Sequence, residues 1–217
     1  MTAVLFDMDG VLVDSEDYWV TFESETLFPD AVPDGDVDLN ETSGMNFREI
    51  YDYLDAEYGT AITRAEWVER FDEMAREVYT DRVSLLPGFD ALLAELRERG
   101  TTVAVVSSSP RAWIDLVLER FDLVEAFDAV VSAEEIRGES KPAPDVYEYA
   151  AQTVGEAPAA CVAVEDSENG VTAADRAGMT VVAYRIAAHG DADYSRADVV
   201  ADDPTALRET VLDLAGT

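Results

Sequence analysis

Short apolar runs rich in valine recur along the chain, and each predicts a buried β-strand. Their sequences are "AVLF" (3–6), "TVAVV" (102–106), "AVV" (129–131), "CVAV" (161–164) and "TVVAY" (180–184), with a shorter sixth candidate at 198–200. Segments of helical periodicity lie between most of them, at 90–100, 110–121, 143–155 and 169–179. Strands that alternate with helices predict βαβ units, and therefore a parallel, Rossmann-like α/β sheet covered by helices on both faces. Ser109 and Pro110 are typical of a helix start and predict the N-terminal cap and the first helical residue of the second helix.

The alternation is interrupted once, between about Ser15 and Val83, where only helical patterns occur. The aromatic residues in this stretch, such as Trp67 and Phe71, recur at the spacing expected for packing between helices. We therefore predict two domains: an α/β core formed by residues 1–14 and 84–217, and an inserted α-helical cap domain formed by residues 15–83.

The chain is strongly acidic, with 47 acidic and 15 basic residues, a formal net charge of -32 and a single lysine, Lys141. Such self-repulsion is tolerable when concentrated salt shortens the Debye length to about 3 Å. The composition therefore favours an intracellular, cytoplasmic protein of a salt-accumulating halophile. The same negative charge argues against nucleic acid and anionic membranes as partners, and we expect a monomer.

Other common site chemistries have little support in the sequence. No apolar run reaches the roughly 18 residues that a membrane span needs, and no secretory leader is expected before the first strand. Cys161 is the only cysteine, lies within a predicted strand and is interpreted as a buried thiol. His189 is the only histidine, lies in a polar stretch and is interpreted as a loop residue. A mechanism based on a Ser-His-Asp or Cys-His arrangement is therefore disfavoured.

Polar residues follow several predicted strands at the point where each strand ends. Asp7 and Asp9 follow the first strand, Ser107 ends the second, and Glu165 and Asp166 end the fourth. In an open parallel sheet, ligands bind beyond the carboxyl ends of the strands. Carboxylates can hold Mg²⁺ or act as a nucleophile, and a hydroxyl and a lysine can bind a negatively charged group. The set therefore points to phosphoryl transfer.

Four short motifs, "DMDG", "VVSSS", "SKPAP" and "VEDSENG", occur in order across almost the whole chain. Together they resemble the motifs of the haloacid dehalogenase-like hydrolase superfamily. "FDMDGVLVDSE" and "VEDSENG" are similar to the branch that holds sugar-phosphate phosphatases, phosphoglycolate phosphatases and β-phosphoglucomutase.

The resemblance implies roles for the carboxylates. Asp7 matches the nucleophile that accepts the phosphoryl group, and Asp9 matches the general acid–base. Mg²⁺ would be held by Asp7, the backbone carbonyl of Asp9, and Asp166, with Glu165 ligating directly or acting through water. The expected activity is Mg²⁺-dependent hydrolysis of a small phosphorylated metabolite, most simply a sugar phosphate, through an aspartyl-phosphate.

The resemblance also implies residues that contact the substrate. Ser107 matches the hydroxyl that binds the phosphoryl group, and Lys141 matches the lysine that neutralises this group and orders Asp7. Ser108 and Gly44 are further candidates for substrate binding. Arg48 is the best cation in the cap for a distal charge, although pairing with neighbouring acids on its helix is an equally good interpretation.

There are four alternatives to a sugar-phosphate phosphatase. A phosphomutase of the β-phosphoglucomutase type carries a histidine in its first cap helix, where this chain has Trp19. Phosphoglycolate phosphatase remains an alternative for the substrate. A dehalogenase of this fold would lack Asp9, and a phospho-accepting receiver domain would lack the inserted helices.

Overall fold

Six strands form one parallel sheet in the order β3-β2-β1-β4-β5-β6. The computed structural model describes residues 3–35, 37, 39–42, 45–190 and 192–216. The strands are β1 (Ala3–Phe6), β2 (Thr102–Ser107), β3 (Ala129–Ser132), β4 (Cys161–Glu165), β5 (Thr180–Tyr184) and β6 (Val199–Ala201). This result confirms the predicted α/β fold with a parallel sheet.

The sheet is buried on both faces. Along β1, Val4 and Phe6 belong to one apolar cluster, and Ala3 and Leu5 belong to the cluster on the opposite face. All four residues are fully buried, which explains why the strand is a continuous apolar run without polar alternation. Cys161, the first residue of β4, is buried as predicted.

Helices pack against both faces of the sheet. They are α6 (Phe89–Glu98), α7 (Arg111–Arg120), α8 (Asp145–Val154), α9 (Glu168–Arg176) and α10 (Pro204–Ala215). Helices α6 and α10 contact one face, and α8 and α9 contact the other. Helix α7 begins at Arg111 with Pro110 as its cap, so the predicted cap at Ser109 is wrong by one residue.

Residues 15–83, here called the helical segment, connect β1 to the rest of the sheet and contain no strand among their described residues. The segment holds α1 (Glu16–Phe22), a π-helical turn (Glu23–Leu27), α2 (Phe28–Ala31), α3 (Leu39–Thr42), α4 (Phe47–Glu57), α5 (Arg64–Glu77) and a second π-helical turn (Val78–Arg82).

Local signals define the two longest helices of this segment. The side chain of Asn46 accepts a hydrogen bond from the backbone N–H of Arg48 at the start of α4, and Thr63 caps α5 in the same way. Trp67 is fully buried, and its indole N–H donates to the carbonyl of Phe47 at 2.8 Å. The predicted packing of aromatic residues between helices is therefore present. None of the described helices combines the length and apolar character needed to cross a membrane.

Candidate active site

The carboxyl ends of β1, β2 and β4 bring the predicted polar residues to one edge of the sheet. The strand order reverses between β1 and β4, which is the point where open α/β sheets form a crevice. Asp7 directly follows β1, Ser107 ends β2, and Glu165 ends β4 with Asp166 next in the chain. All four side chains are buried at this crevice.

Lys141 is a buried cation that joins two of these carboxylates. Its side chain is 1% exposed, and its ammonium group donates to Asp7 Oδ1 at 3.0 Å and to Glu165 Oε1 at 2.6 Å. Burial lowers the pKa of Lys141, but the carboxylates of Asp7 and Glu165 outweigh it and raise the pKa above its usual value. Glu165 Oε1 also accepts a hydrogen bond from the Tyr147 hydroxyl at 2.5 Å. Tyr147 lies on α8 in an ordinary helical pattern that gives no sign of this contact.

Carboxylates outnumber cations at this site. Asp7, Glu165 and Asp166 each place an oxygen within 4.8 Å of the others. Burial, followed by the charge of Glu165, raises the pKa of Asp7, while Lys141 opposes this shift. Burial likewise raises the pKa of Asp166 to about 7. Asp166 Oδ2 is buried and accepts no well-aligned hydrogen bond, although His189 Nδ1 lies 3.2 Å away.

These residues fit a hard divalent cation. The available donors are carboxylate oxygens, which are the ligands that Mg²⁺ prefers, and one buried oxygen lacks a hydrogen bond. A bound cation would also offset the excess negative charge, which Lys141 balances only in part.

Two glycines of the motifs allow the carboxylates to approach the backbone. Gly10 has a φ of 71°, and a Cβ atom at this position would lie 1.9 Å from Asp166 Oδ2. A Cβ atom on Gly170 would lie 2.0 Å from Glu165 Oε2. The glycines of "DMDG" and "VEDSENG" are therefore needed for the geometry of the acidic cluster.

Three hydroxyl groups hold the carboxylate of Asp9. Ser15 Oγ and the Tyr79 hydroxyl donate to Oδ1 at 2.6 and 2.7 Å, and Ser109 Oγ donates to Oδ2 at 2.8 Å. Burial, followed by the nearby charge of Glu16, raises the pKa of Asp9, while the three hydrogen bonds oppose this shift. The sequence alone does not indicate that any of these three hydroxyls belongs to the site.

His189 lies in a turn, as predicted, and its side chain is buried. Its Nδ1 lies 3.2 Å from Asp166 Oδ2, and its Nε2 lies 3.1 Å from Glu16 Oε2. Burial lowers the pKa of His189, but the hydrogen bonds to Asp166 and Glu16 outweigh it and raise the pKa to about 11. The imidazole therefore lies between two carboxylates, and its Nδ1 is also 3.2 Å from the backbone carbonyl of Asp166.

A cavity of about 80 Å³ lies between the acidic cluster and the helical segment. Asp7, Asp9 and the three serines 107–109 line its sheet side. Its opposite wall is mainly apolar and consists of Trp19, Met45, Phe47, Ile50, Phe71 and, from α7, Trp113. The rings of this wall pack face to face, with centroid distances of 5.7 Å for Trp19 and Trp113 and 4.9 Å for Phe47 and Trp113. No lysine or arginine is among the described residues that line the cavity.

The structure does not bring all predicted substrate-binding residues into this cavity. Ser107 and Ser108 line it, and the carbonyl of Ser108 accepts a hydrogen bond from Asn46 Nδ2 at 2.9 Å. The guanidinium of Arg48 instead pairs with Glu134, and Arg48 lines a different surface cavity. Arg48 thus forms an ion pair, but its partner is Glu134 of the core and not a neighbouring acid on its own helix as the alternative interpretation expects. Gly44 lies outside the described residues.

The chain is similar in sequence to several known proteins. A family model described as haloacid dehalogenase-like hydrolase matches residues 4–184. Hexitol phosphatase B of Escherichia coli (strain K12) is 36% identical over 220 residues, which cover 99% of this chain and 96% of that protein. The β-phosphoglucomutase of Bacillus subtilis (strain 168) is 32% identical over 84% of this chain and 82% of that protein.

Solved structures show the same fold. A mutant of CbbY from Rhodobacter sphaeroides in complex with xylulose-(1,5)-bisphosphate superimposes with a TM-score of 0.78 at 22% identity, covering 94% of this chain and 95% of that chain. The matched residues contain all four motifs that carry the predicted resemblance. The chain therefore belongs to the haloacid dehalogenase-like hydrolase family, and its phosphatase relatives support the phosphoric monoester hydrolase that the sequence predicts.

Proposed function

We propose that the protein is a Mg²⁺-dependent phosphatase that hydrolyses a small sugar or sugar-alcohol monophosphate through an aspartyl-phosphate. The observation that carries this proposal is the environment of Asp7. This carboxylate follows β1 at the crevice, is held by the buried ammonium of Lys141 at 3.0 Å, and lies beside two further carboxylates. A nucleophile for a phosphoryl group needs this combination of a fixed oxygen and positive charge nearby.

The reaction has two steps. In the first, an oxygen of Asp7 attacks phosphorus, the bond from phosphorus to the sugar oxygen breaks, and Asp9 gives its proton to that oxygen. In the second, Asp9 takes a proton from water, the water oxygen attacks phosphorus, and the bond to Asp7 breaks to release phosphate. Both residues are thus returned to their initial states.

Positive charge and hydrogen-bond donors stabilise the transferring group. We assign the phosphoryl contacts to Ser107 and Ser108, which line the cavity; Lys141 does not line it, and we assign to its buried ammonium the neutralisation of charge at Asp7, to which it donates at 3.0 Å. Mg²⁺, held by Asp7, the backbone carbonyl of Asp9 and Asp166, would supply further positive charge when bound. Glu165 Oε1 already accepts hydrogen bonds from Lys141 and Tyr147, so we assign to Glu165 the positioning of Lys141.

The lining of the cavity supports a substrate with one phosphate and no second charge. Beyond the serines, the substrate would meet the aromatic rings of Trp19, Phe47 and Trp113, against which the C–H face of a sugar can pack. Sugar hydroxyls can donate to Glu16, which also lines the cavity. The names of the relatives, hexitol phosphatase and β-phosphoglucomutase, agree with a sugar phosphate.

The same lining disfavours two alternatives. Phosphoglycolate carries a carboxylate, and a phosphomutase must hold a bisphosphate intermediate. Either would place a second anion opposite an apolar wall that offers no lysine or arginine among its described residues. An unpaired anion at such a wall loses its hydration without compensation.

We also propose that the helical segment, residues 15–83, acts as a cap. The cavity of about 80 Å³ is small for a sugar phosphate, and residues of the segment form one of its walls, so movement of the segment away from the sheet would enlarge it. Contacts such as Asn46 to Ser108 and Arg48 to Glu134 join the segment to the core and would break in that movement.

A substrate panel tests the proposed function. In concentrated KCl with Mg²⁺, we expect kcat/KM for hexose and hexitol monophosphates to exceed that for phosphoglycolate and for fructose 1,6-bisphosphate by at least about tenfold, which is the effect of one unpaired anion. Phosphate release measures all four. A higher kcat/KM for phosphoglycolate or the bisphosphate would contradict the proposed substrate class. Conversion of glucose 1-phosphate to glucose 6-phosphate faster than phosphate release would establish the mutase instead.

Metal binding can be measured apart from activity. We expect Asp166→Asn to weaken Mg²⁺ binding by at least about tenfold in a calorimetric titration, because the variant loses a charged oxygen ligand. Asp213→Asn is the control, since it removes the same charge from an exposed position on α10. Equal Mg²⁺ affinities of the two variants would show that Asp166 is not a ligand of the metal.

A further inference from the structure

Tyr79 is a buried tyrosine of the helical segment whose hydroxyl reaches the proposed acid–base. It lies in the second π-helical turn (Val78–Arg82) and is fully buried. Its hydroxyl lies 2.7 Å from Asp9 Oδ1 and 3.2 Å from the indole nitrogen of Trp19. The backbone carbonyl of Tyr79 accepts a hydrogen bond from Arg120 on α7 at 3.1 Å, which fixes the turn against the core.

The direction of both hydrogen bonds follows from the chemistry of the groups. The indole N–H of Trp19 can only donate, so the Tyr79 oxygen accepts from it. The single proton of the Tyr79 hydroxyl is then available for Asp9, whose ionised carboxylate can only accept. The order of donation is therefore Trp19 to Tyr79 to Asp9.

The two carboxylate oxygens of Asp9 differ in the number of hydrogen bonds that they accept. Oδ1 accepts from both Ser15 and Tyr79, which uses both of its lone pairs. Oδ2 accepts from Ser109 alone among the described contacts, and it retains one lone pair. A proton carried by Asp9 can thus reside on Oδ2 without displacing a donor.

We infer that Tyr79 is a positioning residue that orients the Asp9 carboxyl so that Oδ2 carries the catalytic proton. The inference rests on the proposed phosphatase function. Without the Tyr79 hydroxyl, Oδ1 loses one of its two donors and the proton can reside on either oxygen. Protonation of the leaving alcohol then becomes less efficient, while the attack by Asp7 is not altered directly.

The test compares leaving groups. The ratio kcat/KM reports the steps up to formation of the aspartyl-phosphate, in which Asp9 protonates the leaving oxygen. An alkyl oxygen needs that proton, whereas p-nitrophenolate leaves without it. For Tyr79→Phe we expect kcat/KM for a hexitol monophosphate to fall about tenfold or more, the effect of losing a hydrogen bond to a charged group, and kcat/KM for p-nitrophenyl phosphate to change by less than about threefold.

Two further variants serve as the positive and negative controls for this comparison. Asp9→Asn removes the acid itself, and it should show the same selectivity with a larger loss on the hexitol monophosphate. Tyr51→Phe is the matched control, because among the described residues the Tyr51 hydroxyl bonds with Thr60 and the carbonyl of Ile62, both within the helical segment. This control should leave both kcat/KM values near those of the parent.

Equal losses on both substrates in Tyr79→Phe, or no loss on either, would overturn the inference. If Asp9→Asn shows the selectivity and Tyr79→Phe does not, the inference fails while the phosphatase function stands. A parent that hydrolyses neither substrate would overturn both. If Tyr79→Phe does not fold, the double variant Trp19→Phe, Tyr79→Phe is compared with the single variant Trp19→Phe. The double variant lacks both partners of the buried hydrogen bond, so neither group is left unpaired. Relative to the single variant, it should show the same selective loss on the hexitol monophosphate.

Discussion

Asp7→Asn should abolish hydrolysis of every phosphomonoester, with a loss in kcat of at least about 10⁴-fold, as expected when a nucleophile is removed. The carboxamide has nearly the same shape as the carboxylate, but its oxygen is too weak a nucleophile to form a stable bond to phosphorus. Phosphate release from the hexitol monophosphate and from p-nitrophenyl phosphate measures the effect. Both substrates should be affected equally, because the nucleophile is needed whatever the leaving group.

The fold should survive this change. Burial and the charges of Glu165 and Asp166 disfavour the ionised form of Asp7, so a neutral amide relieves repulsion within the cluster. Lys141 retains Glu165 as a partner at 2.6 Å. The melting temperature in concentrated KCl should therefore stay within a few degrees of that of the parent.

Asp17→Asn is the matched control, since it makes the same chemical change at an exposed position on α1 that does not line the active-site cavity. It should retain the activity of the parent. Asp7→Asn with near-parental activity would show that Asp7 is not the nucleophile, and the proposed mechanism would then be wrong.

Most of the fold could be predicted because most residues of its central strands are buried. A strand of a parallel sheet covered on both faces is a continuous apolar run, and five such runs mark β1 to β5 to within one residue. Helix α10 is not predicted, although Asp203 caps its first turn and Leu207 and Val211 recur at helical spacing. The signal is present there, but it is no stronger than that of any short amphipathic stretch.

The part of the candidate site that lies at the strand ends could be predicted, because the sheet topology alone brings those residues together. Asp7, Ser107, Glu165 and Asp166 stand at strand ends, and parallel strands bring their carboxyl ends to one edge. The partners of Asp9 could not be predicted in this way. Tyr79 and Ser109 reach it from a helical turn and from a loop, and their contacts depend on how the helical segment packs against the sheet.

The contacts of Arg48 could not be predicted from the sequence for the same reason. The sequence marks it as a rare cation in an acidic chain, but it does not indicate which acid lies near it. The structure pairs it with Glu134 of the core, so its position depends on a contact between distant parts of the chain.

Lys141→Ala should lower kcat/KM for the sugar phosphate by about 10²- to 10³-fold, the effect of removing one group that stabilises charge at a reacting centre. The loss should persist in concentrated KCl. Salt shortens the Debye length to about 3 Å at 1 M and screens exposed charges, but Lys141 is 1% exposed and its partners are also buried. Lys141→Arg should restore little, because a planar guanidinium cannot occupy the place of a compact ammonium between Asp7 and Glu165.

The salt dependence of stability distinguishes repulsion among surface charges, which salt screens, from the interactions of the buried Lys141, which salt screens little. The net charge of -32 predicts that the free energy of unfolding of the parent falls as KCl is removed. Lys141→Ala leaves two buried carboxylates without their cation, so it should be less stable by about 3–5 kcal/mol in the absence of Mg²⁺. Because that loss arises in a buried cluster, the difference from the parent should stay nearly constant across the KCl series.

Arg196→Ala is the control for charge alone, since Arg196 pairs with Asp175 on the surface and its side chain is 51% exposed. We expect unchanged turnover and little change in stability at high salt, where the pair is screened. Denaturant unfolding and phosphate release, measured for the three proteins at each KCl concentration, make the comparison. If Lys141→Ala kept parental activity at high salt, or if its stability deficit disappeared there as expected for a surface pair, Lys141 would be an ordinary cation and the proposed site would lose its main positive side chain.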